Sequence, residues 1–76
     1  MKFRDVNEPG LYWVDNRAGD WWAVEVYPFA DGRLYAYVFC HAGNPFTLAY
    51  LQSEFGGRDC VPIPKPAAVA AAGEAR

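Results

Sequence analysis

Asp20-Trp21-Trp22-Ala23-Val24-Glu25-Val26-Tyr27, Pro28-Phe29-Ala30-Asp31-Gly32 and Arg33-Leu34-Tyr35-Ala36-Tyr37-Val38-Phe39-Cys40-His41 together decide the fold. The stretch reads as a two-stranded hairpin. Successive residues of a strand point to opposite faces. On the first arm Trp22, Val24 and Val26 share one face, and Trp21, Ala23, Glu25 and Tyr27 share the other. On the second arm Leu34, Ala36, Val38 and Cys40 form an apolar set, opposed by Arg33, Tyr35, Tyr37 and Phe39. β-branched and aromatic residues suit a pleated, half-buried surface. Asp31-Gly32 supplies the turn, because Gly accepts positive φ and Asp tolerates it. Pro28 cannot donate to a ladder, so the first arm should end or bulge there. The Val24/Val26/Ala36/Val38 face is the expected core.

Working outward, Pro9-Gly10 is a turn, and Leu11-Tyr12-Trp13-Val14 is a strand before the hairpin. The polar loop Asp15–Asp20 joins the two, so these strands should pair antiparallel. Met1 to Glu8 reads as a polar, flexible N-terminal arm. After the hairpin, Ala42-Gly43-Asn44-Pro45 breaks the third strand. Phe46-Thr47-Leu48-Ala49 is expected as a short fourth strand and residues 50–55 as a single helical turn stopped by Gly56-Gly57. The rival is one helix from Asn44 as N-cap to Gly56. The first reading is preferred because Phe46 and Thr47 are poor helix formers. Cys60-Val61-Pro62-Ile63-Pro64 is extended by its prolines and reads as an edge strand. Residues 65–76, rich in Ala and Pro, form a tail. The expected domain is therefore residues 9–64. It is mainly β: a small SH3-like barrel or antiparallel meander of four or five strands, with one short helical turn and a disordered tail.

At 76 residues the chain has room for one domain. Three Trp, five Tyr and five Phe supply enough apolar area for a core without disulfide or metal. The formal charge of −2 gives no basic footprint for nucleic acid. No stretch approaches the ~18–20 apolar residues of a membrane span. Met1-Lys2-Phe3-Arg4-Asp5 lacks the apolar run of a signal peptide, so a cytoplasmic location with reduced Cys40 and Cys60 is expected.

Candidate chemistry is sparse. A zinc site needs about four ligands at workable spacing, and the chain has one His and two Cys. Cys40 and His41 are strand neighbours and point apart, which opposes a shared metal or a nucleophile–base pair. Cys60 with His41 has no third residue to orient the base. Glu25, Asp31, Glu54 and Asp59 have no cleft suggested to make them a carboxylate dyad. No metal, cofactor or catalytic residue is expected.

The aromatic face of the hairpin is the candidate binding surface: Trp21, Glu25, Tyr27, Arg33, Tyr35 and Tyr37. Rings flanked by charge can recognise a cation, a peptide or a stacked base. As an aromatic cage, Trp21, Tyr27, Tyr35 and Tyr37 would supply ring faces and Glu25 the charge. The competing surface is the loop Asp15–Asp20, and the competing role for the rings is core.

Trp21 to Val26, Asp31 to Val38, Leu48 and Leu51 resemble Tudor-type and related SH3-like modules. That resemblance implies a small barrel and supplies no matched cage residues. The opening Pro9-Gly10-Leu11-Tyr12-Trp13-Val14, the Trp pair and the closing Val61-Pro62-Ile63-Pro64 are similar to short proteins encoded by phages and prophages. This second resemblance implies a non-catalytic inhibitor that binds one bacterial host or defence protein. The alternatives are a single-stranded nucleic-acid binder using stacked rings, and an assembly protein that forms a homodimer through its sheet.

Overall fold

The computed structural model describes residues 1–39 and 41–64. Five strands form one antiparallel sheet: β1 Gly10–Asp15, β2 Trp21–Pro28, β3 Leu34–Val38, β4 Phe46–Thr47 and β5 Cys60–Ile63. The spatial order is β4-β3-β2-β1-β5. The first four strands are a meander, and β5 returns to lie beside β1. Among the described residues no pairing joins β4 to β5, so the sheet is open rather than a closed barrel.

The hairpin register follows the alternation. Val24 faces Val38, Val26 faces Ala36, and Tyr27 faces Tyr35. Val24, Val26, Ala36 and Val38 are buried on the inner face, with Tyr12 and Val14 of β1 and Cys60 of β5. Trp22 and Leu34 pack partly buried against this core. Cys40, expected to extend the same set, lies outside the described residues, as does the expected tail 65–76. The turn closes with Gly32 N–H donating to the Phe29 carbonyl at 3.0 Å, with Gly32 at φ 81°. Asp31 Oδ1 accepts the Arg33 N–H at 2.9 Å and holds the turn. β2 ends at Pro28, whose ring has no N–H to offer beyond it.

One side of the sheet is covered by an N-terminal 3-10 turn, Phe3–Asp5, and by α1, Leu48–Phe55. This corrects the reading of residues 1–8 as a flexible arm. Phe3 is 1% exposed and Val6 is also buried. A 3-10 helix has three residues per turn, so Phe3 and Val6 come to the same side and fill the open sheet. Phe3 N–H donates to the Arg58 carbonyl at 2.9 Å, Arg4 N–H to Gly56 at 3.0 Å, and Cys60 N–H to Met1 at 2.7 Å. Gln52 Nε2 of α1 donates to the carbonyls of Phe3 and Val6, at 3.0 and 2.7 Å.

The segment after β3 also differs from expectation. The fourth strand is only Phe46–Thr47, and the helix is longer than one turn. Thr47 is its N-cap, with Oγ1 accepting the Tyr50 N–H at 3.2 Å. That bond satisfies one of the free N–H groups of the first turn. Leu48 and Leu51, three apart, then face the core. Neither Asn44 nor Pro45 belongs to the helix; Asn44 instead bonds β3.

Candidate binding face

The outer face of the sheet carries what the inner face rejects. Leu11 and Trp13 of β1, Trp21 of β2, Tyr37 of β3, Phe39 just beyond β3 and Val61 of β5 are all 37–50% exposed. The register brings them into one field. Trp13 lies between Ala23 and Val61, and Leu11 lies between Glu25 and Ile63. Glu25 faces Tyr37 on its other side. Phe39 N–H donates to the Ala23 carbonyl at 3.0 Å, which extends the Val61–Trp13–Ala23 row across β2. Tyr37 and Phe39 meet edge to face at 5.3 Å.

Trp21, Glu25, Tyr27, Tyr35 and Tyr37 lie on this side of the hairpin but do not converge, while Arg33, in the turn before β3, lines a hollow with Val6, Leu48 and Gln52 on the side that α1 covers. Tyr27 and Tyr35 are stacked at 6.2 Å near the hairpin turn. Phe29 adds an edge contact to Tyr35 at 5.3 Å. Both tyrosines are half-buried, and Arg33 is exposed. The Tyr35 hydroxyl donates to Asp31 Oδ2 at 2.7 Å. That bond holds the Asp31 carboxyl below the usual carboxylate range and pushes the Tyr35 phenol up. Trp21 stands at the opposite end of β2, six residues from Tyr27 and about 20 Å away at strand rise. Trp21, Tyr27, Tyr35 and Tyr37 therefore do not build one cage.

Trp21 belongs instead to a second group that sequence reasoning left out. A shallow depression of about 330 Å³ is lined by Trp13, Asp20, Trp21 and Val61. A neighbouring hollow adds Asn16, Trp22, Ala23 and Phe39. Asp20 and Asp15 come from the β1–β2 hairpin, and Asp15 sits directly across from Trp21. The Asp15–Asp20 loop and the aromatic face are thus contiguous rather than competing surfaces. Arg17 at φ 65° and Gly19 at φ 79° shape this loop. Asp15 Oδ1 accepts the Arg17 N–H, Asn16 Oδ1 the Ala18 N–H and Asp20 Oδ1 the Trp21 N–H, each at 2.9 Å.

A separate cavity of about 190 Å³ lies between α1 and the inner face, walled by core residues such as Trp22, Val38, Leu51 and Phe55. Behind it Arg58, in the connection between α1 and β5, stacks on Phe55 at 4.9 Å and on Trp22 at 5.5 Å, tying the end of the helix to β2. Cys60 is buried on the inner face, and burial pushes its thiol up, away from a reactive thiolate. His41 is exposed and packs edge-on against Phe46 at 5.7 Å. Comparison with protein-family models, curated proteins and solved structures finds no significant match.

Proposed function

We propose that this chain is a non-catalytic protein-binding module whose contact surface is the outer face of the sheet around Trp13, Trp21, Tyr37 and Phe39. The observation that carries the reading is the grouping of large exposed apolar side chains on one face. Contiguous apolar patches on a small protein mark contact sites, and Trp and Tyr dominate binding energy where they are found. The resemblance of the two ends of the domain to phage-encoded proteins supports a bacterial protein as partner, and inhibition as the outcome.

Two features favour the face over the edges of the sheet. On the free side of β5, Cys60 N–H is already bonded to Met1, and Pro62 and Pro64 have no N–H. Such an edge resists strand addition. β4 offers only two residues at the other edge. Stacked single-stranded nucleic acid is the weaker reading, because Asp15, Asp20 and Glu25 border the rings and oppose phosphate. The test is capture from a bacterial lysate by immobilised protein and by a Trp13→Glu variant. A partner retained by the first and lost by the second supports the reading; identical capture by both refutes it.

A further inference from the structure

The charges around the exposed rings narrow the partner's chemistry, and this step rests on the outer face being the contact surface. We infer that the Trp13/Trp21 end of that face receives an arginine side chain, carried by an otherwise apolar segment of a protein partner. The depression there is walled by two indoles and Val61, with the Asp20 carboxylate at its side. Indole faces attract cations, and a guanidinium can stack on a ring while it forks onto a carboxylate. Asp20 is oriented for this. Its Oδ1 accepts the Trp21 N–H, and its Oδ2 has no protein partner among the described residues.

The surroundings repeat the same sign. Asp15 lies across from Trp21, and Glu25 lies between Leu11 and Tyr37. None of these three carboxylates is in an ion pair among the described residues, where Lys2–Asp59 is the pair formed. The cations of the hairpins stand at the rims: Arg17 in the β1–β2 loop and Arg33 at the hairpin turn. Arg58 stacks over Trp22 and Phe55, and its Nη1 donates to the Asp15 main-chain carbonyl at 3.4 Å rather than to a carboxylate. A second copy of this chain would bring carboxylates against carboxylates, and like charges across an interface are costly. A basic and apolar segment complements both the rings and the charge.

The test is titration of the 76-residue chain with a capped peptide alternating leucine and arginine, and with its leucine–glutamine and leucine–glutamate counterparts, read by tryptophan fluorescence and calorimetry. The arginine peptide is expected to bind roughly three- to fivefold tighter than the glutamine peptide or better. Asp20→Asn keeps the bond to Trp21 N–H and should remove most of that preference, as should added salt, while Glu54→Gln on α1 should not. Equal binding of the arginine and glutamine peptides, both weakened by Trp13→Ala, would overturn the arginine assignment and leave the face as a contact surface. Binding that ignores Trp13→Ala would sink the face reading as well. Tighter binding of the glutamate peptide or of a single-stranded oligonucleotide, or no binding by any peptide at millimolar concentration, would overturn the inference. A dimer seen by sedimentation and dissolved by Trp21→Ala would assign the face to a second copy and overturn it too.

Discussion

Asn44 takes the place of a strand residue beside Val38. Its Oδ1 accepts the Val38 N–H at 2.8 Å, and its Nδ2 donates to the Val38 carbonyl at 2.6 Å. The same Nδ2 donates to the His41 carbonyl at 2.7 Å. β4 pairs only with Tyr35 and Ala36, so without Asn44 the end of β3 would lack a partner on that side. Removing one side of a partly buried hydrogen-bonded group costs about 1–3 kcal/mol. Asn44→Ala should lower the denaturant midpoint accordingly. Asn44→Asp should be worse at neutral pH, because a carboxylate can only accept and would face two carbonyls. A midpoint unchanged in both variants would show that β3 ends independently of this side chain.

The N-terminal turn should be part of the cooperative fold. Phe3 is fully buried under the sheet, and truncating a core aromatic costs about 3–5 kcal/mol. Phe3→Ala should therefore lower stability as strongly as a change inside the hairpin. Gly56→Ala should act on the same junction, since a Cβ there would press on the Gln52 carbonyl and on Arg4. Both effects are read by chemical unfolding, and loss of neither would detach the turn from the core.

The adjacent tryptophans should separate stability from binding. Trp22 packs edge-on to Phe55 at 5.2 Å and under Arg58, whereas Trp21 is largely exposed on the other face. Trp22→Ala should cost several kcal/mol, of order 3, and Trp21→Ala within about 0.5. Equal falls in midpoint would contradict the face assignment.

The Tyr35–Asp31 bond sets a direction for pH dependence. Asp31 is lowered first by the Tyr35 hydrogen bond and then by the Arg33 N–H. A carboxyl whose folded value is depressed adds stability above its unfolded value, and that stability is lost as pH falls through the folded value. Tyr35 is raised by the same bond, so its share is present below the ordinary phenol range and is lost as pH rises through the folded value. The site is exposed, so the effect should be small. Tyr35→Phe should flatten the acid-side slope of stability, and an identical slope in the variant would show that the bond contributes nothing in solution.

Alternation along the hairpin was enough to place Val24, Val26, Ala36 and Val38 inside and Trp21, Glu25 and Tyr37 outside, because charged residues mark one face. Leu11-Tyr12-Trp13-Val14 carries no charge to mark a face, and Trp13 was not legible as a surface residue. Tyr12 goes inside because its hydroxyl can donate to the Glu8 carbonyl at 2.8 Å. Phe3 and Val6 were hidden among charges, and only their spacing of three signalled a shared side. The helix start was not legible: Thr47 reads as a strand residue and Asn44 as the rival N-cap, because a residue that is both strand end and N-cap carries the signals of each. The distance between Trp21 and Tyr35 depended on register, which side-chain pattern alone does not supply.

The outer face as contact surface is tested most directly by the affinity of a captured bacterial partner for the native protein, Trp13→Ala and Tyr37→Ala, with unfolding midpoints measured on the same samples. Both variants should bind at least about tenfold more weakly, near 1.4 kcal/mol. Their midpoints should stay close to the native value. Native affinity in both variants, or a loss of affinity matched by a loss of folding, would contradict the account.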